Sequence, residues 1–185
     1  MERCSRDRKR RLLGEAFVIE GSNKANILVT VGTQFAFDRL TGMVQQWMGN
    51  ENIAENSVYF QIGPEGKPPE KSPYCEFMSP NDYQKVMETV KLVVAHAGIG
   101  SILSAIENGK AVIIVPRDFE LGEHRNAHQA STAREFAQRP GIYVATDYTS
   151  LAGYLNQRES LQPALPAELD AQMLASVDDF IQGRR

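Results

Sequence analysis

Leu92-Val93-Val94-Ala95-His96-Ala97-Gly98-Ile99-Gly100-Ser101 decides how this chain folds. The first five residues read as a buried parallel strand, and the rest as a small-residue turn that opens into a helix. Such a turn leaves backbone N–H groups free to face an anion, at the end where the helix dipole favours one. Gly98 and Gly100 let the main chain approach a ligand closely. An ordinary tight strand-to-helix connection also favours glycine, so this stretch alone leaves both readings open.

A second turn of the same kind lies upstream. Asn26–Val31 is a short apolar, β-rich run followed by Gly32-Thr33-Gln34, and a helix begins near Asp38 with Leu40, Met43, Val44 and Trp47 on one face. Two glycine loops at the carboxyl ends of parallel strands are what ligand binding by an open α/β sheet requires. Neither is a P-loop, because no G-x-x-x-x-G-K-[ST] is present. A dinucleotide fingerprint is closer: Gly98-x-Gly100 supplies two glycines and Asp118 an acid some twenty residues on. Leu103 stands where the third glycine belongs, and an NAD reading leaves Gly32-Thr33-Gln34 without a role.

The 185 residues suit one domain, long enough to bury about 70% of its unfolded surface. The net charge of −3 argues against a general nucleic-acid binder. That sum hides a basic head: residues 1–11 carry +4, leaving −7 for the remainder. Residues 1–25 read as a basic, disordered extension, with contact to anionic lipid head groups as the other use of such a segment. Glu15 and Glu20 interrupt the apolar run after it, which excludes a secretory signal. No stretch has the length of a membrane span. Cys4 and Cys75 form no framework, so reduced thiols in the cytoplasm are expected.

Alternating patterns over 26–185 predict one α/β domain, a Rossmann-like parallel sheet with helices on both faces. Strands are expected at 26–31, 57–62, 74–78, 92–96, 111–115 and 142–145. Helices are expected at 38–49, 80–90, 101–108, 123–138, 149–157 and 166–181. The last carries a stripe of Leu165, Leu169, Met173 and Val177, suited equally to docking a partner and to packing on its own sheet.

One further cluster, Gly122-Glu123-His124-Arg125-Asn126-Ala127-His128-Gln129, falls on the same sheet edge as the glycine loops. His124 and His128 stand four apart, but Arg125 breaks H-E-x-x-H and no further ligand completes a zinc site, so no metal is expected. The cluster is otherwise a polar helix start, or a place where Asn126 and Gln129 offer uncharged donors and acceptors to sugar hydroxyls.

In order, G-T-Q, H-A-G-x-G-S, E-N-G-K and P-R-x-x-x-x-G-E-H-R-N-x-H-Q resemble the C-terminal, donor-binding half of GT-B glycosyltransferases, family 28 in particular. Within it, the chain is similar to separately encoded subunits of two-part enzymes of dolichol-linked chitobiose and exopolysaccharide synthesis. The resemblance spans about residues 26–160 and implies half of a GT-B fold and a UDP-sugar donor. It also implies inverting transfer without a metal cofactor to a lipid-linked glycan. A membrane-associated partner subunit would hold that acceptor at the cytoplasmic face.

By position, the resemblance places Gly32 and Thr33 beside the diphosphate and the Met78 backbone at the uracil edge. His96, Gly98, Gly100 and Ser101 would surround the diphosphate. Asn126 and Gln129 would contact the sugar with Glu123 and His128 nearby, and His96 and Glu123 are the candidates for catalysis. Where several relatives carry a ribose-binding Glu, this chain has Ser104, with Glu107 one turn further as the candidate substitute. The competing function is a non-catalytic nucleotide-binding or NAD-binding Rossmann module.

Overall fold

The computed structural model of the chain describes residues 25–123 and 128–164. The basic head up to Lys24, the segment His124–Ala127 and the terminal helix expected at 166–181 lie outside the described residues.

Six strands form one parallel sheet: β1 (Ile27–Thr30), β2 (Val58–Gln61), β3 (Tyr74–Cys75), β4 (Leu92–His96), β5 (Ala111–Val115) and β6 (Ile142–Val144). The spatial order is β3-β2-β1-β4-β5-β6. β1 pairs with β2 from Ile27 opposite Val58, and on its other side with β4 from Ile27 opposite Leu92. β1, β2 and β5 are buried along their whole length. That is why they read as continuous apolar runs rather than as alternating ones.

Helices cover both faces. Leu28, Tyr59, Val93, Ala95, Val112 and Ile114 point to the face covered by α2 (Pro80–Thr89), α3 (Ile99–Glu107) and α4 (His128–Phe136). Their sequence neighbours, such as Val29, Phe60, Val94 and Ile113, point to the other face, covered by α1 (Asp38–Asn50) and α5 (Tyr148–Asn156). Trp47 of α1 is fully buried, and its indole N–H donates to Asn156 Oδ1 of α5 at 2.8 Å. The expected Rossmann-like sheet with helices on both faces is therefore the observed architecture. No described helix is long and apolar enough to cross a membrane.

Three boundaries differ from expectation, each for a physical reason. The third strand was expected to reach Met78, but pairing stops at Cys75. Beyond it, Glu76 spends its carbonyl on Gly63 N–H and on the Gln61 side chain. Ser79 then caps α2, accepting from Asp82 N–H, with Pro80 at the first helical position. Helix α3 starts two residues earlier than expected, directly after Gly98. The helix expected from Glu123 does not include that residue, which lies in a bend and is drawn into an ion pair described below; α4 is described from His128 on. Cys75 is a free thiol, and burial pushes it up to about 11, a poor nucleophile at neutral pH.

Candidate functional site

The winding reverses between β1 and β4, which are sheet neighbours whose onward connections leave in opposite directions. In open α/β sheets the crevice at the carboxyl ends of such a pair is where ligands bind. Both glycine loops lie there: residues 31–37 follow β1, and residues 96–101 link β4 to α3.

The two loops meet on one side chain, the half-buried His96. A Cβ on Gly32, whose φ is +81°, would lie 2.7 Å from His96 Cε1. On Gly98 it would run into His96 Nε2. The imidazole thus occupies the space that any other residue at either position would need. A side chain at Gly98 would have to push the imidazole aside, and one at Gly32 would in addition be strained by the left-handed backbone there.

Gly98 is also the N-cap of α3 and has no side chain to satisfy the helix start. Its own N–H is used locally, donating to His96 O at 2.8 Å. The N–H groups of Ile99, Gly100 and Ser101 have no acceptor within the helix. Space beside Gly100 is open, with nothing within 4 Å of a notional Cβ. The result is a short row of backbone donors at the positive end of a nine-residue helix, facing the crevice.

Gln61 and Arg117, not foreseen from the sequence, hold the opposite loop, and Arg39 ties down the loop after β5. Gln61, at the carboxyl end of β2, is 4% exposed, and its Oε1 accepts from Thr30 Oγ1 at 2.7 Å and from Val31 N–H at 3.1 Å. Its Nε2 donates to Gly32 O at 2.8 Å and to Glu76 O at 3.0 Å. Arg117, just past β5, is also 4% exposed. It donates to the carbonyls of Val31 (2.9 Å), Phe35 (2.8 Å), Ala36 (2.6 Å) and Glu123 (3.3 Å). Burial holds its guanidinium below the usual arginine range, with Arg39 adding to that effect and Glu123 opposing it. Arg39 forms a two-pronged pair with Glu123 at 2.8 and 2.9 Å and also donates to Pro116 O. The hydrogen bond that it donates to Glu123 raises Arg39 above its ordinary value in spite of partial burial. Both guanidinium groups lie over the buried Phe37 ring, Arg117 at 4.5 Å and Arg39 at 5.1 Å.

The residues nominated from sequence divide accordingly. Gly32, Thr33, His96, Gly98, Gly100 and Ser101 are at the crevice, with Thr33 and Gly100 exposed. Glu123 is not a free carboxylate as expected of a catalytic group: Arg39 takes both oxygens, and Oε2 also accepts from Asp118 N–H at 2.8 Å. Gln129 does not present its amide oxygen to a ligand, because it is 7% exposed and that oxygen accepts from Arg117 N–H at 3.1 Å. Met78 lies beyond the strand that was to carry it, and its side chain belongs to the core.

Ser104 faces α2, where it offsets part of the upward push that burial gives the Tyr83 phenol. Glu107 is the last residue of α3 and lies about 12 Å along the axis from Ile99, out of reach of the loop. His128 opens α4, and Asn126 lies outside the described residues. The dinucleotide alternative finds Asp118 exposed, with Oδ1 accepting from Glu120 N–H. Its Gly-x-Gly also follows β4, not the first strand of the sheet.

Comparison with known proteins matches residues 26–176 to the model of the glycosyltransferase family 28 C-terminal domain. Among solved structures, an NMR solution structure of ALG13 is similar at 18% identity and a TM-score of 0.53, covering 77% of this chain and 90% of that one. The calicheamicin glycosyltransferase CalG4 is similar at 17% identity and a TM-score of 0.52, with 75% of this chain covered. The glycotransferase of kitacinnamycin is similar at 12% identity and a TM-score of 0.51, with 74% covered. This chain spans 38% of the former and 36% of the latter. At these identities the likeness establishes the fold, one half of the GT-B architecture.

A double-mutant cycle of Arg39→Met and Glu123→Gln, read by denaturant unfolding, is expected to give a coupling of about 0.5–3 kcal/mol. Additive effects would show that the pair does not hold the loop after β5.

Proposed function

The chain belongs to the glycosyltransferase family 28 C-terminal domains, and from that membership we propose that it binds a UDP-sugar and donates the sugar with inversion. The observation that carries this reading is the uncapped start of α3 at the switch point, opposite the clamped Gly32 turn.

In the proposed reaction an acceptor hydroxyl attacks the anomeric carbon from the face opposite the diphosphate. The new C–O bond forms as the bond from the anomeric carbon to the diphosphate oxygen breaks, and UDP departs with the electron pair. The hydroxyl proton passes to a base on the acceptor-binding half. Charge gathers on the leaving oxygens, where the N–H groups of Ile99, Gly100 and Ser101 and the α3 dipole stabilise it without reorganisation. His96, held between the two glycines, is placed to contact the same diphosphate. Glu123 acts indirectly, by anchoring Arg39 and the loop after β5.

No divalent cation is needed where fixed donors take up that charge, so we assign no metal cofactor. The acceptor-binding half is assigned to a separate, membrane-associated chain, as the resemblance to separately encoded subunits implies. A lipid-linked glycan at the cytoplasmic face is the proposed acceptor.

Gly98→Val drives a branched side chain into the His96 ring and displaces the start of α3. Loss of one charge-assisted hydrogen bond would weaken UDP binding about ten- to a hundredfold. Calorimetric titration of UDP into both proteins checks this, and equal affinities in a folded variant would move the site elsewhere. Sugar transfer by the complex with its acceptor-binding partner is expected to survive exhaustive EDTA treatment. Activity that disappears and returns with magnesium or manganese would overturn the metal-free assignment.

A further inference from the structure

Arg117 has a feature that its packing does not require. Among the described residues, every hydrogen-bond acceptor that its side chain reaches is a backbone carbonyl: Val31, Phe35, Ala36 and Glu123. Carbonyls satisfy the N–H donors, but they do not neutralise the charge. The half-buried carboxylate of Glu123, close by, has both oxygens hydrogen-bonded to Arg39. Asp118 acts on Arg39 from the surface. Two guanidinium groups therefore flank one phenyl ring and share the half-buried Glu123 carboxylate, which is hydrogen-bonded to Arg39 and acts on Arg117 only through space. A buried cation whose nearest carboxylate is hydrogen-bonded to another cation is unfavourable for folding, and a neutral side chain would serve the core better.

Its position gives that charge a use. Arg117 Nη2 binds the carbonyl of the peptide preceding Gly32, and Gln61 binds the carbonyl of the peptide following it. The cation thus lies directly behind the turn that forms one wall of the crevice. It is nearly shut off from water, where charges are screened least.

We propose that Arg117 is a positioning residue with an electrostatic role: it fixes the Gly32 turn and directs its charge, only partly offset by Glu123, through that turn at a bound diphosphate. The inference rests on the nucleotide-sugar reading above. It assigns recognition of the anionic part of the donor, as opposed to the nucleoside, to a side chain that never touches the ligand. It also makes Glu123, the carboxylate that tempers this charge, an opposing element.

The test compares UDP with uridine, which lacks the phosphates, by calorimetric titration into the wild-type protein, Arg117→Met and Glu123→Gln. For Arg117→Met the UDP-to-uridine affinity ratio should fall about tenfold, while uridine binding stays within about twofold. For Glu123→Gln, which keeps the shape of the side chain and removes its charge, the ratio should rise about threefold. A purely structural role predicts something else: both ligands weakened in the same proportion by Arg117→Met, and no rise for Glu123→Gln. Either result would overturn the electrostatic assignment while leaving UDP binding by the wild type intact. If Arg117→Met fails to fold, the sign of the Glu123→Gln effect decides alone. Wild-type protein that binds neither ligand would overturn the nucleotide reading, and this inference with it.

Discussion

Strand β1 pairs with β2 on one side and β4 on the other, and the connections that leave β1 and β4 run in opposite directions along the sheet. The rest of the structure follows from this reversal. Parallel pairing sends every strand end to one edge, and helices on both faces keep the sheet dry. Where winding changes direction, the loops diverge and leave a crevice. Gly32 and Gly98 stand on its two sides with the His96 ring between them.

The crevice combines two kinds of polarity. On the α3 side the donors are backbone N–H groups, fixed by a helix that has no side-chain cap. On the β1 side the loop presents its carbonyls inward, to Gln61 and Arg117, and is thereby held in shape. Inward-facing carbonyls turn the remaining polar surface of the loop toward the opening. Preorganised dipoles of this sort stabilise developing negative charge because they need no rearrangement when it appears.

The fold was legible in the sequence because β1, β2, β4 and β5 are buried on both faces and read as unbroken apolar runs. β3 was over-extended, since a two-residue strand at the sheet edge leaves too few positions for a pattern. The glycine loops were legible because steric need restricts which residues fit there. Gln61 and Arg117 were not, although Arg117 lay in plain view within P-R-x-x-x-x-G-E. Arg117 finds its partners 86 residues upstream, at Val31, and nothing in local spacing reveals such a contact. Glu123 and Gln129 have partners equally invisible to local spacing. Their residue types suit contact with a sugar, but Arg39 and the Arg117 backbone claim them first. One local signal was available for Gln61: a polar side chain closing the run Val58-Tyr59-Phe60, where burial demands a partner.

The central claim, that the anion-binding edge is the crevice between β1 and β4, is tested most directly by following backbone amide resonances during titration with UDP. The account predicts the largest shifts at Gly32, Ile99, Gly100 and Ser101, with those of the amino-edge groove around Lys91, Gly109 and Lys110 unchanged. Shifts concentrated in that groove, with the α3 start silent, would contradict it.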